Sequence, residues 1–348
     1  IGTVETRLGD EVLRSVRTTP ESTDLQALLA VARDRAVDAV SMEVSSHALD
    51  QHRVDGVTFD VGVFTGLSQD HLDYHGTMER YFAAKARLFE PSRCRFAVIC
   101  VDDDWGVELT DRVQIPRVTY SAEGNTRADW RATDISGDAR GSRVHARGPA
   151  GEDIGLDVPL PGSFNVANAL AALVALVSVG VDGEQAAEGI GSATGIPGRL
   201  ERVEAGQAFA ALVDYAHTPD AVERVLAALR PLTRGRLVVV LGAGGDRDPG
   251  KRPAMARAAV RGSDLAVLTS DNPRSEDPVA ILAEMTEGLT GAFVVEPDRA
   301  AAIALAATGL GPGDTLLVAG KGHEAGQESA GVVHPFDDRD VLRRAVTS

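Results

Sequence analysis

Four short apolar runs in the second half of the chain each end in a compact group of polar residues. VVVL (238–241) leads into GAGGDRDPGKR (242–252), and LAVLT (265–269) leads into SDNPRSED (270–277). LLVA (316–319) leads into GKGHE (320–324), and ALV (211–213) into DYAHTPD (214–220). Stretches rich in Ala and Leu at helical spacing separate the runs, which is the order that βαβ units of a parallel sheet require. Ligands of such sheets bind beyond the carboxyl ends of the strands, so the four polar groups should meet at one edge. That convergence predicts an enzyme site.

The first half predicts a second α/β unit. Leu25, Leu28, Leu29 and Ala32 recur at helical spacing, with Thr23 or Asp24 as the cap. DAVSMEV (38–44) is expected to be a buried strand ending at Glu43, VGVFT (61–65) another, and FAVICV (96–101) a third, ending at Asp102 and Asp103. MERYFAAKARLF (78–89) reads as a helix. From about Val113 to Pro161 short alternating segments such as SRVHARG (142–148) predict a small antiparallel sheet at the domain edge. A helix over 164–180 follows, and Ile196-Pro197-Gly198 marks a break. The expected fold is therefore α/β throughout. Residues 1–197 form a central domain with a mostly parallel sheet plus a small antiparallel one. Residues 198–348 form a Rossmann-like α/β domain.

Composition narrows the partners. A chain of 348 residues with 44% hydrophobic content can bury the cores of two domains. A net charge of −16 and a pI near 4.9 argue against nucleic acid and anionic membranes. Basic residues beside the motifs are then expected to meet a small anionic ligand. Two cysteines, with Cys100 inside an apolar run, make a reducing cytoplasm the default. No apolar run is long enough to span a bilayer.

The first domain carries a second constellation. Glu43 is followed by VSSH (44–47), and QDHLDYH places Asp70, His71, Asp73 and His75 close together. Carboxylates and an imidazole at strand ends suit a hard cation such as Mg²⁺ that bridges phosphates. Equally, Asp70 and Asp73 could cap a turn and the histidines could be surface residues. Spacing alone leaves Lys85 an ordinary helix lysine.

Taken together the segments resemble the central and C-terminal domains of the Mur ligase family. The matching stretches are TTPE (18–21), MEVSSHAL (42–49), HRV (52–54), DHLDYHG (70–76), YFAAKARLF (81–89), GSFNVANALAA (162–172), PGRLE (197–201), DYAHTPDA (214–221), GAGGDRDPGKRP (242–253), DNPRSEDP (271–278) and AGKGHE (319–324). They occur in family order from end to end. The resemblance implies an ATP-dependent, amide-forming ligase of peptidoglycan precursor synthesis, adding meso-diaminopimelate to UDP-N-acetylmuramoyl-L-alanyl-D-glutamate. A cytoplasmic monomer that inserts into no membrane is the expectation.

The resemblance also implies roles. Glu43 and His71 would hold Mg²⁺, and Lys85 matches a lysine that family members carry as a carbamate. Thr18, Thr19, Ser45 and Arg53 would hold the muramoyl-dipeptide. Asn165, Asn168 and Arg199 match ATP contacts, while Asp214, Tyr215 and His217 sit where the C-terminal domain closes over ATP, His217 among the catalytic group. Arg247, Asp271, Asn272, Arg274, Gly320 and Glu324 match the pocket for the incoming diamino acid. These residue types suit the chemistry: a carboxylate must be phosphorylated before an amine can attack it, and charge on the moving phosphoryl group calls for Mg²⁺ and cationic side chains. Arg274 can grip the distal carboxylate of the diamino acid, although Asn-Pro alone also favours a simple turn.

Two departures qualify the match. The chain contains no G-x-x-x-x-G-K-[ST] phosphate loop; Gly250-Lys251 and Gly320-Lys321 lack the following Ser or Thr. In the family that loop lies just upstream of the segment resembling IGTVETR (1–7), and a uridine-binding domain precedes it. The chain is thus expected to be a fragment lacking turnover by itself, the alternative being a descendant that has lost ATP hydrolysis. Gly66 stands where relatives usually have Asn. Competing readings are a lysine-adding ligase, a folylpolyglutamate-type ligase and a non-catalytic module that holds diaminopimelate or ADP. A nicotinamide enzyme is rejected, because GAGGDR lacks the third glycine of its fingerprint.

Overall fold

Two six-stranded sheets organise the chain, as seen in a computed structural model that describes residues 1–13, 17–138, 141–193 and 195–347. A small hairpin, β1 (Thr6–Leu8) and β2 (Glu11–Leu13), opens it, followed by helices α1 (Ser22–Asp34) and α2 (Ser46–Asp50). Neither Thr23 nor Asp24 caps α1. Glu21 occupies the N-cap, and its carboxylate instead pairs with Arg17 at 2.6 Å.

The first sheet runs β3 (Phe59–Phe64), β4 (Cys94–Cys100), β5 (Arg117–Ser121), β6 (Trp130–Asp138), β7 (Gly141–Arg147) and β8 (Asp153–Val158), each beside the next. Helices α3 (Leu72–His75) and α4 (Met78–Ala86) connect β3 to β4, and α5 (Asp104–Arg112) connects β4 to β5. One face packs on α6 (Ser163–Ser178) and α7 (Gly183–Gly191); the other is closed by Phe82 of α4 and Leu109 of α5. The alternating segments do not form a separate sheet. β5 and β6 pair in parallel, and β6, β7 and β8 extend the same sheet antiparallel. Their alternation has a simple cause: Ile154, Leu156 and Val158 face α6 and α7 while their neighbours face solvent.

The expected strand over 38–44 is absent. The segment has no regular structure and joins no ladder; Ile1 accounts for its long-range backbone bonds, donating to Ser41 O at 2.8 Å and accepting from Glu43 N at 2.9 Å. Val40 is therefore 49% exposed, and only Met42 and Val44 pack inward, against Leu25 and Leu49. Apolar alternation signals a strand only where a neighbour exists to take its backbone groups.

The second sheet has the order β13 (Phe293–Val295), β12 (Leu265–Ser270), β11 (Leu237–Ala243), β14 (Thr315–Ala319), β10 (Ala210–Asp214) and β9 (Glu201–Arg202), parallel except for β9. Leu237, Val239 and Leu241 face α8 (Pro219–Leu229), α9 (Arg252–Gly262) and α10 (Pro278–Thr286). Val238 and Val240 face α11 (Arg299–Ala307) and α12 (Asp338–Thr347). Burial on both faces is why these strands read as unbroken apolar runs. The four expected strands lie side by side, and their polar groups emerge at one edge. Thr218 and Asp277 within those groups also cap α8 and α10, each followed by proline at the first helical position. A short hairpin, β15 (Gly326–Ser329) with β16 (Val332–Pro335), leans on Arg274 by a bridge to Ser329. Among the described residues no helix is long and apolar enough to cross a membrane.

Candidate functional site

Four groups of polar side chains line the facing edges of the two domains. The first forms around the run that ends at Ser45. Thr3 Oγ1 donates to Glu43 Oε2 at 2.5 Å and lies 3.0 Å from Thr18 Oγ1. The Thr19 hydroxyl donates to Glu43 O at 2.8 Å and accepts from Ser45 N at 3.0 Å, while Ser45 Oγ caps α2. Arg53 is buried beneath them, its Nη1 donating to Thr19 O at 3.2 Å and its Nη2 bonding Gln51 Oε1. Thr18, Thr19, Glu43, Ser45 and Arg53 are thus brought together. Sequence reasoning missed Thr3 and Gln51, which lack any diagnostic spacing.

The second group is aromatic and basic. His71 heads α3 with φ of 54°, its ring 4.8 Å from His47 and 5.9 Å from Tyr81. Lys85 Nζ lies 5.3 Å from the Tyr81 ring centre. Burial lowers the pKa of both His71 and Lys85, with Asp70 opposing the shift in each case. Asp70 accepts from His71 N at 2.9 Å and reaches across the domain cleft to within 4.0 Å of His217 Nε2. His71 and Lys85 share this group, whereas Glu43 belongs to the threonine group. Among the described residues no set of three or more His, Cys, Asp and Glu is arranged to hold a metal.

The third group follows β10. The Asp214 carboxylate is buried and accepts from Leu200 N and Ala216 N, both at 2.8 Å. Burial raises its pKa, and those two N–H bonds oppose the shift. Tyr215 lies under the Arg199 guanidinium at 4.9 Å, with His217 at 4.6 Å and His323 at 5.2 Å; burial pushes its hydroxyl up to about 12. His217 Nδ1 lies 2.8 Å from Tyr215 O. Gly198 and Gly322 let the backbones touch here. A Cβ on Gly198 would lie 2.2 Å from His323 N, and one on Gly322 2.8 Å from Tyr215 Cβ. Asn165 Nδ2 is spent on Pro161 O at 2.8 Å, closing the turn into α6, while Asn168 is exposed.

The fourth group joins the loops after β11, β12 and β14. Asn272 Nδ2 donates to Glu324 Oε2 at 2.8 Å, and Asn272 Oδ1 accepts from Glu328 N at 2.9 Å. Asp271 is buried beside Gly320, whose φ is 115° and whose added Cβ would meet Asp271 Oδ2 at 2.7 Å. Arg274, in the left-handed region at φ 55°, donates from Nη1 to Gly245 O at 2.6 Å. Arg247 is exposed on the loop after β11, which also carries Gly245. A Cβ on Gly244 would lie 3.1 Å from Arg274 Nη1 and 3.9 Å from Arg247 Cγ, so both arginines flank that glycine.

Three buried cations underpin these loops without having been foreseen, the first being Arg252, whose Nη2 donates to Gly244 O at 3.1 Å and to Glu276 Oε1 at 2.7 Å. Lys321 is fully buried against Asn272 and Glu324. Arg299 donates to Ser270 O at 3.1 Å and Ala319 O at 2.9 Å, the last carbonyls of β12 and β14. Lysine and arginine read as solvated by default, and no local spacing marks the exceptions.

A three-layer α/β domain with four polar strand ends is thus joined to a second α/β domain that offers histidines and a lysine at the facing edge, a two-domain α/β architecture. Residues 1–176 match the Mur ligase middle domain, and residues 198–322 the Mur ligase glutamate ligase domain. The chain belongs to the Mur ligase family. It is similar to the UDP-N-acetylmuramoyl-L-alanyl-D-glutamate–2,6-diaminopimelate ligase of Streptomyces coelicolor, at 57% identity over 99% of this chain and 70% of that protein. The protein of that name from Corynebacterium glutamicum is 48% identical over 100% of this chain and 69% of its own length. A solved structure of a ligase of that name is 38% identical, with a TM-score of 0.65 over 97% of this chain and 70% of that one.

Proposed function

We propose that this chain supplies the catalytic and amino-acid-binding parts of an ATP-dependent ligase that joins meso-diaminopimelate to UDP-N-acetylmuramoyl-L-alanyl-D-glutamate. The observation that carries the reading is the joining of the DNPR and GKGHE loops through Asn272 and Glu324, with Arg274 and Arg247 beside them. A diamino acid is zwitterionic at both ends, and this site offers it carboxylates and guanidinium groups side by side. The similarity to relatives named for that activity supports the same reading.

In this reading the substrate carboxylate attacks the γ-phosphorus of ATP and ADP departs. The amine then attacks the acyl carbon through a tetrahedral intermediate that expels phosphate. Thr18, Thr19, Ser45 and Arg53 hold the muramoyl-dipeptide. Asn165, Asn168, Arg199, Asp214 and Tyr215 serve the nucleotide, with His217 closing the cleft. Arg247, Asp271, Asn272, Arg274, Gly320 and Glu324 receive the diamino acid. Glu43, His71 and Lys85 would hold Mg²⁺, which supplies charge neutralisation for phosphoryl transfer.

His71 and Lys85, which share one group, suit that ion, whereas Glu43 is held by Thr3 in the neighbouring group. Burial favours the neutral imidazole of His71, which keeps a lone pair to donate. It likewise favours the neutral amine of Lys85, the form that attacks CO₂ to give a carbamate. The domain boundary falls at 197/198 and the working site is cytoplasmic, the chain acting as a monomer. Coupled ADP release in the full-length ligase, with diaminopimelate or lysine as acceptor, tests the reading. Equal turnover on lysine would defeat it.

A further inference from the structure

Lys321 is an anomaly in the C-terminal domain. Its side chain is fully buried, yet a lysine is almost never buried unless paired. Its Nζ donates to Glu324 Oε2 at 3.0 Å and to Asn272 Oδ1 at 3.1 Å. Asn272 Nδ2 also donates to Glu324 Oε2, at 2.8 Å. The three side chains close a triangle, and each edge fixes something. The ammonium determines which end of the Asn272 amide is oxygen, since only oxygen can face a donor. Both bonds to Glu324 fall on Oε2, which leaves Oε1 as the oxygen available to a ligand. Glu324 is itself one-third exposed, so its carboxylate spans the boundary between core and cleft.

We propose that Lys321 is a positioning residue for the incoming amino acid: it clamps Glu324 and Asn272 from below so that Glu324 Oε1 points a fixed acceptor at the substrate ammonium. This rests on the reading of Glu324 and Asn272 as part of the diamino acid pocket. The Lys321 side chain has no exposed surface with which to meet a substrate directly. Its charge also matters. Asp271 is buried nearby, and a carboxylate in such a site is costly without a partner. With Lys321 beneath it, Glu324 can be held as an anion and still accept a second cation from above.

Steady-state kinetics of the full-length ligase provide the test. Lys321→Met keeps the length and removes the charge and both hydrogen bonds. It should raise KM for diaminopimelate about tenfold or more, as loss of one charge-assisted bond predicts, and leave KM for ATP and for the muramoyl-dipeptide within about twofold. The neutral pair Lys321→Met with Glu324→Gln leaves no unpaired charge, so it remains testable if the single variant does not fold. Its KM for diaminopimelate should lie within about twofold of that of Glu324→Gln, because Lys321 acts through Glu324. Unchanged KM in Lys321→Met, an equal rise for all three substrates, or fully multiplicative effects would each overturn the clamp. Unchanged KM in Glu324→Gln would instead remove the pocket reading, and the clamp with it.

Discussion

Arg299 and Asp338 form a two-pronged ion pair, both bonds 2.7 Å long, in which neither side chain has any solvent exposure. The remaining donors of Arg299 reach the carbonyls of Ser270 and Ala319, one residue before Asp271 and Gly320. A single guanidinium thus ties two ligand-facing loops to the first turns of α11 and α12.

Removing one partner of such a pair leaves an uncompensated buried charge. Arg299→Ala should cost about 3–5 kcal/mol of folding free energy, measured by urea unfolding. Arg299→Met combined with Asp338→Leu should recover much of that loss, because neither charge then remains buried. A double variant no better than the single one would show that the pair is favourable beyond its own desolvation.

Lys85 predicts a response to bicarbonate. In the unfolded chain its amine has the ordinary lysine value of about 10.4, and burial lowers it in the fold. The unfolded chain therefore holds the proton more tightly. The resulting penalty is fully present below the lowered value and is relieved as pH rises through the window between the two values. Carbamate formation joins Nζ to the carbon of CO₂ with loss of a proton, so it removes the buried ammonium altogether. Bicarbonate at mildly alkaline pH should raise the Tm of the chain and have no such effect on Lys85→Met. In the full-length ligase Lys85→Ala should abolish turnover, with partial rescue by a short carboxylate. A mutant as active as the parent would return Lys85 to the status of a helix lysine.

Arg274 should discriminate diaminopimelate from lysine. Its Nη1 is committed to Gly245 O and its Nε lies 3.6 Å from Glu328 Oε2, which together orient the guanidinium. Arg274→Ala should raise KM for diaminopimelate by a few tens to thousands, the equivalent of ~2–5 kcal/mol for a half-emptied charge pair, while scarcely changing the weak use of lysine. Equal losses on both substrates would make Arg274 structural.

Gly66 adopts φ of 117°, and a Cβ there would lie 2.8 Å from Asp103 Oδ2. That carboxylate is already engaged, accepting from Leu67 N at 2.8 Å and from Gly106 N at 2.7 Å at the start of α5. Gly66→Ala is expected to lose about 1–3 kcal/mol through backbone strain alone. Gly66→Asn should lose less, since its amide can donate to Asp103. Thermal denaturation of the two variants decides the order.

What the sequence made legible follows from local physics. The four C-terminal strands announced themselves because both their faces are buried, and their polar ends because no core residue could take their place. The run over 38–44 misled because its apolar texture resembles a strand while its neighbours supply only Ile1. Thr18, Thr19 and Arg53 were found through resemblance, yet the hydrogen bond from Thr3 to Glu43 spans 40 residues and leaves no trace in spacing. Arg299 and Asp338 are 39 residues apart for the same reason. Lys321 was visible only as a lysine in a glycine-rich loop.

The position of β14 bears on how the chain is made. It pairs with both β10 and β11, which do not pair with each other, yet it is synthesised after both. While the nascent chain grows, those two strands wait with open, apolar edges until Thr315–Ala319 has left the ribosome. Release of the polypeptide before Ala319 would leave both edges unpaired in the same molecule, a sticky intermediate rather than a smaller working domain. Holding factors that shield β-strand edges should therefore matter more to this half of the protein than to the central domain, where β3, β4 and β5 can pair in the order they emerge.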